Sequence, residues 1–230
     1  GEGGWIIDKL KALDFAGAGH GAFDQTAVGE EVFHGGEAVD VTDLAEDGHA
    51  EVLALVRSKK YSEKTVGYVA LSLLLRGSDP IVSSIVETMK TDLTMAPDTS
   101  GKKKKGSVKN DAVQCLALCS LANISGLELI QAMHMEVQHI LVSKTSTEQV
   151  KKKSALCLLR LTRTSPNLIS GREFAPHIAL LLQDQHLGVV TSVMSLLNGL
   201  ASQHTEVYES LIPNVVNVFS LLVLKKECAR

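Results

Sequence analysis

The sequence is poor in aromatic residues. Of 230 residues, five are Phe, three are Tyr and one is Trp. Base-stacking surfaces and aromatic-rich ligand pockets need more rings than this, so the scarcity argues against both. No apolar run reaches the roughly 20 residues that a membrane-spanning helix requires. The longest candidate, residues 211–224, is interrupted by Pro213, Asn214 and Asn217.

Residues and motifs that would carry chemistry are also few. The four cysteines are Cys115, Cys119, Cys157 and Cys228. They are too sparse for a disulfide scaffold, and we interpret them as reduced thiols buried among apolar residues. His134 and His139 are five apart, and neither an HExxH motif nor paired CxxC motifs are present. The glycine-rich stretch 17–23 lacks the lysine and the spacing of a phosphate-binding loop. The sequence therefore predicts no catalytic residue, no metal, no cofactor and no enzymatic activity.

Charge and glycine divide the chain into two unlike parts. Residues 1–48 hold eleven acidic residues and two lysines, a net of −9, and ten of the eighteen glycines. The remaining residues have a net of +6, and the sum is −3, which gives no overall case for nucleic-acid binding. We predict a largely irregular acidic segment over 1–47 and a packed domain over 48–230. Because the chain begins with Gly and not Met, we expect a fragment, a processed chain or an incomplete gene model.

From residue 49 onward, apolar residues recur at helical spacing, and β-type alternation is absent. Four similar segments begin at Ser62, Val108, Val150 and Leu187, with starts 46, 42 and 37 residues apart. A further apolar helical stretch precedes each of them, at 49–58, 80–92, 126–143 and 173–183, and another unit begins at 206–224. Two helices per roughly 40 residues is the spacing of HEAT or armadillo repeats. The predicted fold is an all-α solenoid of such helix pairs, preceded by the irregular acidic segment.

Local signals predict where some of these helices begin and end. Asp79-Pro80 is typical of a helix start, and Ser146 with Gln149 forms a capping-box pattern. Ser165-Pro166 predicts a helix end, because the residue before a proline disfavours helical geometry.

The segment after Val150 is apolar on most of its circumference. A helix of this kind must be covered on several sides, as the inner helix of a solenoid is. We place the polar face of this helix at Lys151, Lys152, Arg160 and Arg163.

A lysine-rich loop interrupts the repeats at about residues 94–109. It contains Lys102, Lys103, Lys104 and Lys105. Each lysine near an anionic membrane contributes about 1 kcal/mol, so this cluster is a candidate for membrane contact. A nuclear localisation patch and a solvated loop without contacts are the alternatives. His186 stands alone at a helix junction, where we expect a structural role through backbone hydrogen bonding.

Several contiguous motifs stand out: residues 155–161, 163–166 and 184–191 read ALCLLRL, RTSP and DQHLGVVT. Together with the Tyr61–Tyr68 and Lys90–Leu93 segments, they resemble patterns of the alpha-adaptin family. The likeness covers about 48–220. The residues that carry it, and to which we assign a structural role, are Tyr61, Glu63, Lys64, Gly67, Tyr68, Arg160, Arg163, Pro166, Asp184, Gln185, His186 and Gly188.

The resemblance implies a function. Alpha-adaptins are large, non-catalytic subunits of the plasma-membrane clathrin adaptor complex, and their helical trunks hold the small sigma-type, medium mu-type and beta-type subunits. It therefore implies vesicle-mediated protein transport in endocytosis, at the cytosolic face of membranes in clathrin-coated pits. It implies contact with the membrane surface as part of the complex, and neither a nucleic-acid partner nor a small-molecule substrate.

The sequence also departs from the family. The phosphoinositide-binding lysines of alpha-adaptins lie upstream of the matched region, where residues 1–47 are acidic and glycine-rich. No lipid-binding or cargo-binding residue is therefore carried over, and the lysine loop is an insertion that inherits no role. The alternatives are a gamma-type adaptin of a Golgi or endosomal adaptor, or an armadillo-like peptide-binding scaffold. The 184–191 motif favours the alpha type. We further expect Leu221, Leu222 and Val223 to be exposed at an uncapped end of the solenoid.

Overall fold

The computed structural model describes residues 50–74, 82–95, 110–124 and 126–228, and all regular elements in these ranges are helical. The helices are α1 (50–56), α2 (Tyr61–Leu74), α3 (Val82–Leu93), α4 (Asn110–Asn123), α5 (Leu127–Val142), α6 (Glu148–Thr164), α7 (Gly171–Leu181), α8 (Leu187–Ala201), α9 (Thr205–Tyr208) and α10 (Ile212–Cys228). Two short 3-10 turns, Pro166–Leu168 and Glu209–Leu211, connect some of them. The prediction of an all-α fold is confirmed for the described residues.

The helices form two layers. Helices α2, α4, α6 and α8 pack side by side in one layer, each against the next. In the other layer α3 packs on α5, and α3, α5 and α7 also contact the first layer at α4, α6 and α8. Helix α6 therefore touches α4, α5 and α8, as its nearly all-round apolar sequence predicted. This stacking of helix pairs is the predicted solenoid architecture.

A continuous apolar core runs between the layers. In α6 the core side chains include Val150, Ala155 and Leu158, all fully buried. Removing such side chains from water is the main stabilising contribution of each repeat, at roughly 25 cal/mol per Å² of apolar surface. Because α6 lies between neighbours on three sides, its core residues are shared by two successive pairs.

The described cysteines differ in burial, whereas the sequence predicted that all of them are buried. Cys157 is buried, and burial raises the pKa of its thiol. Cys115 and Cys119 are only half-buried, which corrects the prediction of buried thiols. The three are reduced, and the side chain of Cys228 lies outside the part that the structure describes.

Of the two predicted boundaries of α6, one is wrong and one is confirmed. Helix α6 begins at Glu148 with Thr147 as its N-cap. The Ser146 hydroxyl instead donates to the carbonyl oxygen of Ile140 at 2.7 Å, so the capping box does not form. At the other end of α6, Ser165 terminates the helix as predicted.

The apolar helical stretch 206–224, predicted to begin a further unit, is divided. Helix α9 ends at Tyr208, a 3-10 turn follows, and α10 begins at Ile212. Pro213 is the second residue of α10, where a missing N–H is tolerated, so the proline starts this helix and does not interrupt it.

The end of α10 agrees in part with the expectation of exposed apolar residues. Leu221 and Val223 are exposed. Leu222 is half-buried, which corrects the prediction for that residue; it follows Val218 by four positions and Val215 by seven, and these two pack against the core.

Several predictions fall outside the described ranges. These are the acidic segment 1–47, the helix start at Asp79-Pro80 and the lysine cluster of residues 102–105. The boundary between the two predicted regions stays a prediction. In the described ranges, none of the helices combines the length and apolar character needed to cross a membrane.

Candidate functional site

The family-like residues near Tyr61 and Asp92 meet in a buried polar cluster. The ammonium of Lys64 lies 2.6 Å from Asp92 Oδ2 and also donates to the carbonyl oxygen of Val56. The Tyr68 hydroxyl donates to the same carboxylate oxygen at 2.6 Å. Burial, then the negative charge and hydrogen bond of Asp92, raise the pKa of Tyr68. The cluster ties together α2, α3 and the end of α1.

Gly67 lies where α1 and α2 come closest. A methyl group at this position would be 2.6 Å from the Val56 nitrogen and 2.8 Å from the Leu55 carbonyl carbon. Both atoms belong to the backbone, which cannot move away as a side chain can. The absence of a side chain therefore permits the approach that brings the Val56 carbonyl to Lys64.

Tyr61 and Glu63 lie in the first turn of α2. The carboxylate of Glu63 accepts hydrogen bonds from Lys60 Nζ at 2.8 Å and from the Ser58 hydroxyl at 2.6 Å. These bonds lower the pKa of Glu63. Tyr61 lines an open depression between the start of α2 and helix α3. In this arrangement Glu63 organises the loop that enters α2.

The second family-like motif contacts the beginning of α6. Asp184 Oδ2 lies 3.1 Å from Lys151 Nζ, and Asp184 Oδ1 accepts the backbone N–H of His186 at 3.0 Å. His186 is the N-cap residue of α8, and its Nδ1 lies 2.6 Å from Glu148 Oε2. These contacts join the loop before α8 to the start of α6.

Electrostatics favour the ionised form of Asp184. Burial opposes ionisation, but the amide of His186 and the ammonium of Lys151 outweigh it, so the pKa of Asp184 is lowered. Gly188 lies under the stem of Lys152, because a methyl group there would be 3.0 Å from Lys152 Cδ. Gln185 is exposed between these residues. The predicted polar face at Lys151 and Lys152 is thus half-covered by the next repeat.

Arg160, Arg163 and Pro166 lie away from this contact. Pro166 opens the 3-10 turn after α6. Arg160 and Arg163 are exposed on the outer side of α6 and line a small depression of about 210 Å³ at the ends of α4 and α6. Among the described residues, neither guanidinium forms an ion pair.

Sequence reasoning did not recognise the full extent of this exposed surface. Lys153 and Leu156 are also exposed, and with Arg160 and Arg163 they are spaced 3, 4 and 3 residues apart. This spacing lies along one face of a helix. We call these four residues the basic row; the spacing alone could have identified it. The neighbouring helix α8 has no charged residue, so the positive charge of the row is not balanced there.

Among the described residues, the feature that can bind a partner is the exposed basic row. They contain no group of three His, Cys, Asp or Glu side chains that could hold a metal ion. The two polar clusters are occupied by their own partners. The basic row can contact an acidic surface, because guanidinium and ammonium groups bind carboxylates through charge-assisted hydrogen bonds. Fold and site together define a helical-repeat protein with an exposed basic surface on α6.

Comparison with known proteins identifies the family. Residues 33–228 match the model described as the adaptin N terminal region, and the chain belongs to this family. The AP-2 complex subunit alpha-1 of Arabidopsis thaliana is 34% identical over 180 residues, which is 78% of this chain and 16% of that protein. The AP-2 complex subunit alpha-2 of Dictyostelium discoideum is 33% identical over 180 residues, 78% of this chain and 17% of the relative. The predicted resemblance to alpha-adaptins is confirmed.

A third relative extends the range of organisms. The AP-2 complex subunit alpha of Schizosaccharomyces pombe is 34% identical over 152 residues, 66% of this chain and 16% of that protein. The chain thus spans about a sixth of the length of these relatives. Among solved structures, an engineered protein covers 81% of this chain at 19% identity, with a TM-score of 0.43 that is too low to bear on the fold.

Proposed function

We propose that this chain is part of the trunk of an alpha-type large subunit in a clathrin adaptor complex, with a non-catalytic, protein-binding role. The observation that supports this most is the sequence identity of 33–34% with AP-2 alpha subunits over 78% of the chain. The relatives that we compared are alpha subunits, so a gamma-type adaptin is not favoured. The process would be vesicle-mediated protein transport in endocytosis.

The proposed partners are the other adaptor subunits: a small sigma-type, a medium mu-type and a beta-type large chain. The proposed location is the cytosolic face of membranes, at clathrin-coated pits. The chain spans only about a sixth of the length of its relatives. These proposals therefore transfer the partners and location of the whole relatives to a chain that matches one region of them. The lysine loop at 102–105 remains a candidate for membrane contact.

The open surface of the α2, α4, α6 and α8 layer is the proposed contact for these subunits. The basic row supports this, because its three cations, which form no ion pair within the described part of the chain, flank an exposed Leu156, and no acidic residue of α8 neutralises them. Surfaces of stacked repeats are the usual binding sites of solenoid proteins. The polar clusters at Asp92 and Asp184 would act within the trunk by holding successive helix pairs together.

The test is affinity capture of the tagged endogenous protein from native lysate, with identification of its partners by mass spectrometry. Recovery of small, medium and beta-type adaptor subunits is expected, and the identity of the medium subunit distinguishes an alpha-type from a gamma-type complex. If the protein is intact and no adaptor subunit is recovered, the proposal is wrong and a scaffold role takes its place.

A pair of variants tests the proposed surface. The double change Arg160→Glu and Arg163→Glu is expected to reduce recovery of adaptor subunits at least roughly tenfold. It replaces two positive charges by negative ones, which repel an acidic partner surface. Arg172→Glu is the control, because Arg172 is also exposed but lies on α7 in the other layer. Equal recovery with both variants would show that the basic row is not the contact.

A further inference from the structure

A groove with two different walls runs between α4 and α6. The wall on α6 is the basic row, in which three cations surround the exposed Leu156. Free cysteine packs as a small apolar residue, so the accessible side of α4 between residues 112 and 122 is uncharged and apolar. Its members are all half-buried, and they are Ala112, Cys115, Leu116, Cys119 and Ala122. We call the surface between these two walls the α4–α6 groove.

The two walls adjoin at both ends of the groove. Burial raises the pKa of the Cys115 thiol most, and the positive charge of Lys153 acts in the opposite direction, so this ammonium lies near that thiol. At the other end, Ala122 lines the depression of about 210 Å³ together with Arg160 and Arg163. The chain advances from Cys115 to Ala122 as it does from Lys153 to Arg160, about 10 Å along each helix. The groove therefore follows both helices in the same direction for about two turns.

The other side of α6 is closed by α8. Leu159 packs so tightly on Gly199 that a methyl group there would be 2.4 Å from Leu159 Cδ1. The exposed residues of α8 between positions 188 and 200 are polar and uncharged, and they are Thr191, Ser195 and Asn198. In the described part of the chain, an apolar wall therefore accompanies the basic row on the α4 side of α6 and not on the α8 side.

The groove fits an α-helix better than an extended peptide. A peptide that adds a β-strand needs an exposed sheet edge, and all regular elements in the described ranges are helical. A proline-rich segment needs a groove lined by aromatic rings, and neither wall contains one. Two helices that pack side by side leave a groove that receives the side-chain ridge of a third helix. Such a helix binds through anchors three and four residues apart, which is also the spacing of the basic row.

We propose that the α4–α6 groove binds an amphipathic helix of a partner protein, with an apolar stripe against α4 and acidic side chains against the basic row. Each guanidinium of the row can bind a carboxylate through two parallel hydrogen bonds. Lys153 and Arg163 are about 15 Å apart along α6, so the acidic residues of the partner recur over about three helical turns. This inference rests on the proposed function for the role of the basic row as contact surface, but not on which subunit supplies the helix.

Photo-cross-linking of the tagged full chain in cells tests the proposal. A photo-reactive phenylalanine analogue replaces Cys119 in the groove, or Ser195 on the exposed side of α8 as the control. Mass spectrometry then identifies the partner segment joined to each position. Cross-links from position 119 should fall in a helix with apolar residues three and four apart and acidic residues beside them. Their yield should exceed that from position 195 at least roughly tenfold, because side chains in the centre of an interface make its closest contacts.

Charge variants test the basic wall. Arg160→Glu with Arg163→Glu should lower the yield at position 119 at least roughly tenfold, whereas Arg172→Glu on α7 should change it by less than about twofold. Arg160→Lys with Arg163→Lys keeps the charge but loses the paired hydrogen bonds, so it should lower the yield by about two- to fivefold. Circular dichroism confirms that each variant is folded.

The outcomes separate the groove from the adaptor assignment. The proposal is overturned if position 119 gives no cross-link, gives no more than position 195, or joins a segment that is extended, neutral or basic. It is also overturned if Arg160→Glu with Arg163→Glu leaves the yield unchanged. The identity of the partner is a separate result: an acidic amphipathic helix from a protein other than an adaptor subunit would support the groove and contradict the proposed function.

Discussion

Two lysine–aspartate pairs hold successive helix pairs together, and they differ in burial. Lys64 and Asp92 are 2.6 Å apart, with side chains 9% and 5% exposed. Lys151 and Asp184 are 3.1 Å apart, with side chains 18% and 14% exposed. The same two residue types therefore make a dry contact between α2 and α3 and a partly wet contact between α6 and the loop before α8.

The difference shows how burial determines the consequences of losing a partner. The buried pair needs its additional hydrogen bonds, from Tyr68 to the carboxylate and from Lys64 to Val56, because water cannot replace them. At the second pair, water can reach both charges, and the neighbouring contact between His186 and Glu148 is more open still. We expect substitutions in the first cluster to destabilise the fold strongly, and substitutions in the second cluster to have small effects on stability.

The largest expected effect is at Asp92. Asp92→Ala leaves the Lys64 ammonium and the Tyr68 hydroxyl buried without their acceptor, which should lower the free energy of unfolding by about 3–5 kcal/mol. Asp184→Ala is the comparison and should cost about 1 kcal/mol or less, because Lys151 can turn to water. Urea unfolding followed by circular dichroism measures both. Equal losses for the two variants would refute the distinction drawn from burial.

The next effect concerns the glycine beside each pair. Gly67→Ala puts a methyl group into the backbone of α1, so it should destabilise by about 1–3 kcal/mol even after the gain in helix propensity. Gly188→Ala meets only the flexible stem of Lys152 and should be neutral, or stabilising by up to about 1 kcal/mol. Thermal unfolding of the two variants side by side gives the sign. A stabilising Gly67→Ala would mean that α1 and α2 are farther apart than described.

The smallest effect is in the pH dependence. The pKa of Asp184 is lower in the folded chain than in the unfolded chain, so its contribution to stability is present above about pH 4. That contribution is lost as the pH falls through the lowered folded value. Asp184→Asn should therefore make the free energy of unfolding less steeply dependent on pH below about pH 4. Urea unfolding on both sides of pH 4 provides the measurement, and an unchanged slope would contradict the described contacts of Asp184.

Repeat periodicity predicted the helices well, since apolar spacing records which face of each helix is buried. It failed where tertiary contacts compete with local ones. Ser146 has the sequence of a cap, but its hydroxyl bonds to Ile140 at the end of α5. Cys115 and Cys119 have apolar neighbours in sequence, yet each remains partly accessible because α4 is only partly covered there.

The sequence by itself determined the fold class and the family, because helical periodicity and contiguous motifs are properties of neighbouring residues. Only the tertiary structure decided which motif residues meet. Lys64 and Asp92 are 28 residues apart and their contact follows from the packing of α2 on α3, just as Lys151 reaches Asp184 across 33 residues. Only the structure, likewise, separated the apolar residues of α10 into Val215 and Val218, which pack against the core, and those that are exposed. A local pattern indicates which face of a helix is buried, but the depth of burial at each contact depends on neighbours that are distant in sequence.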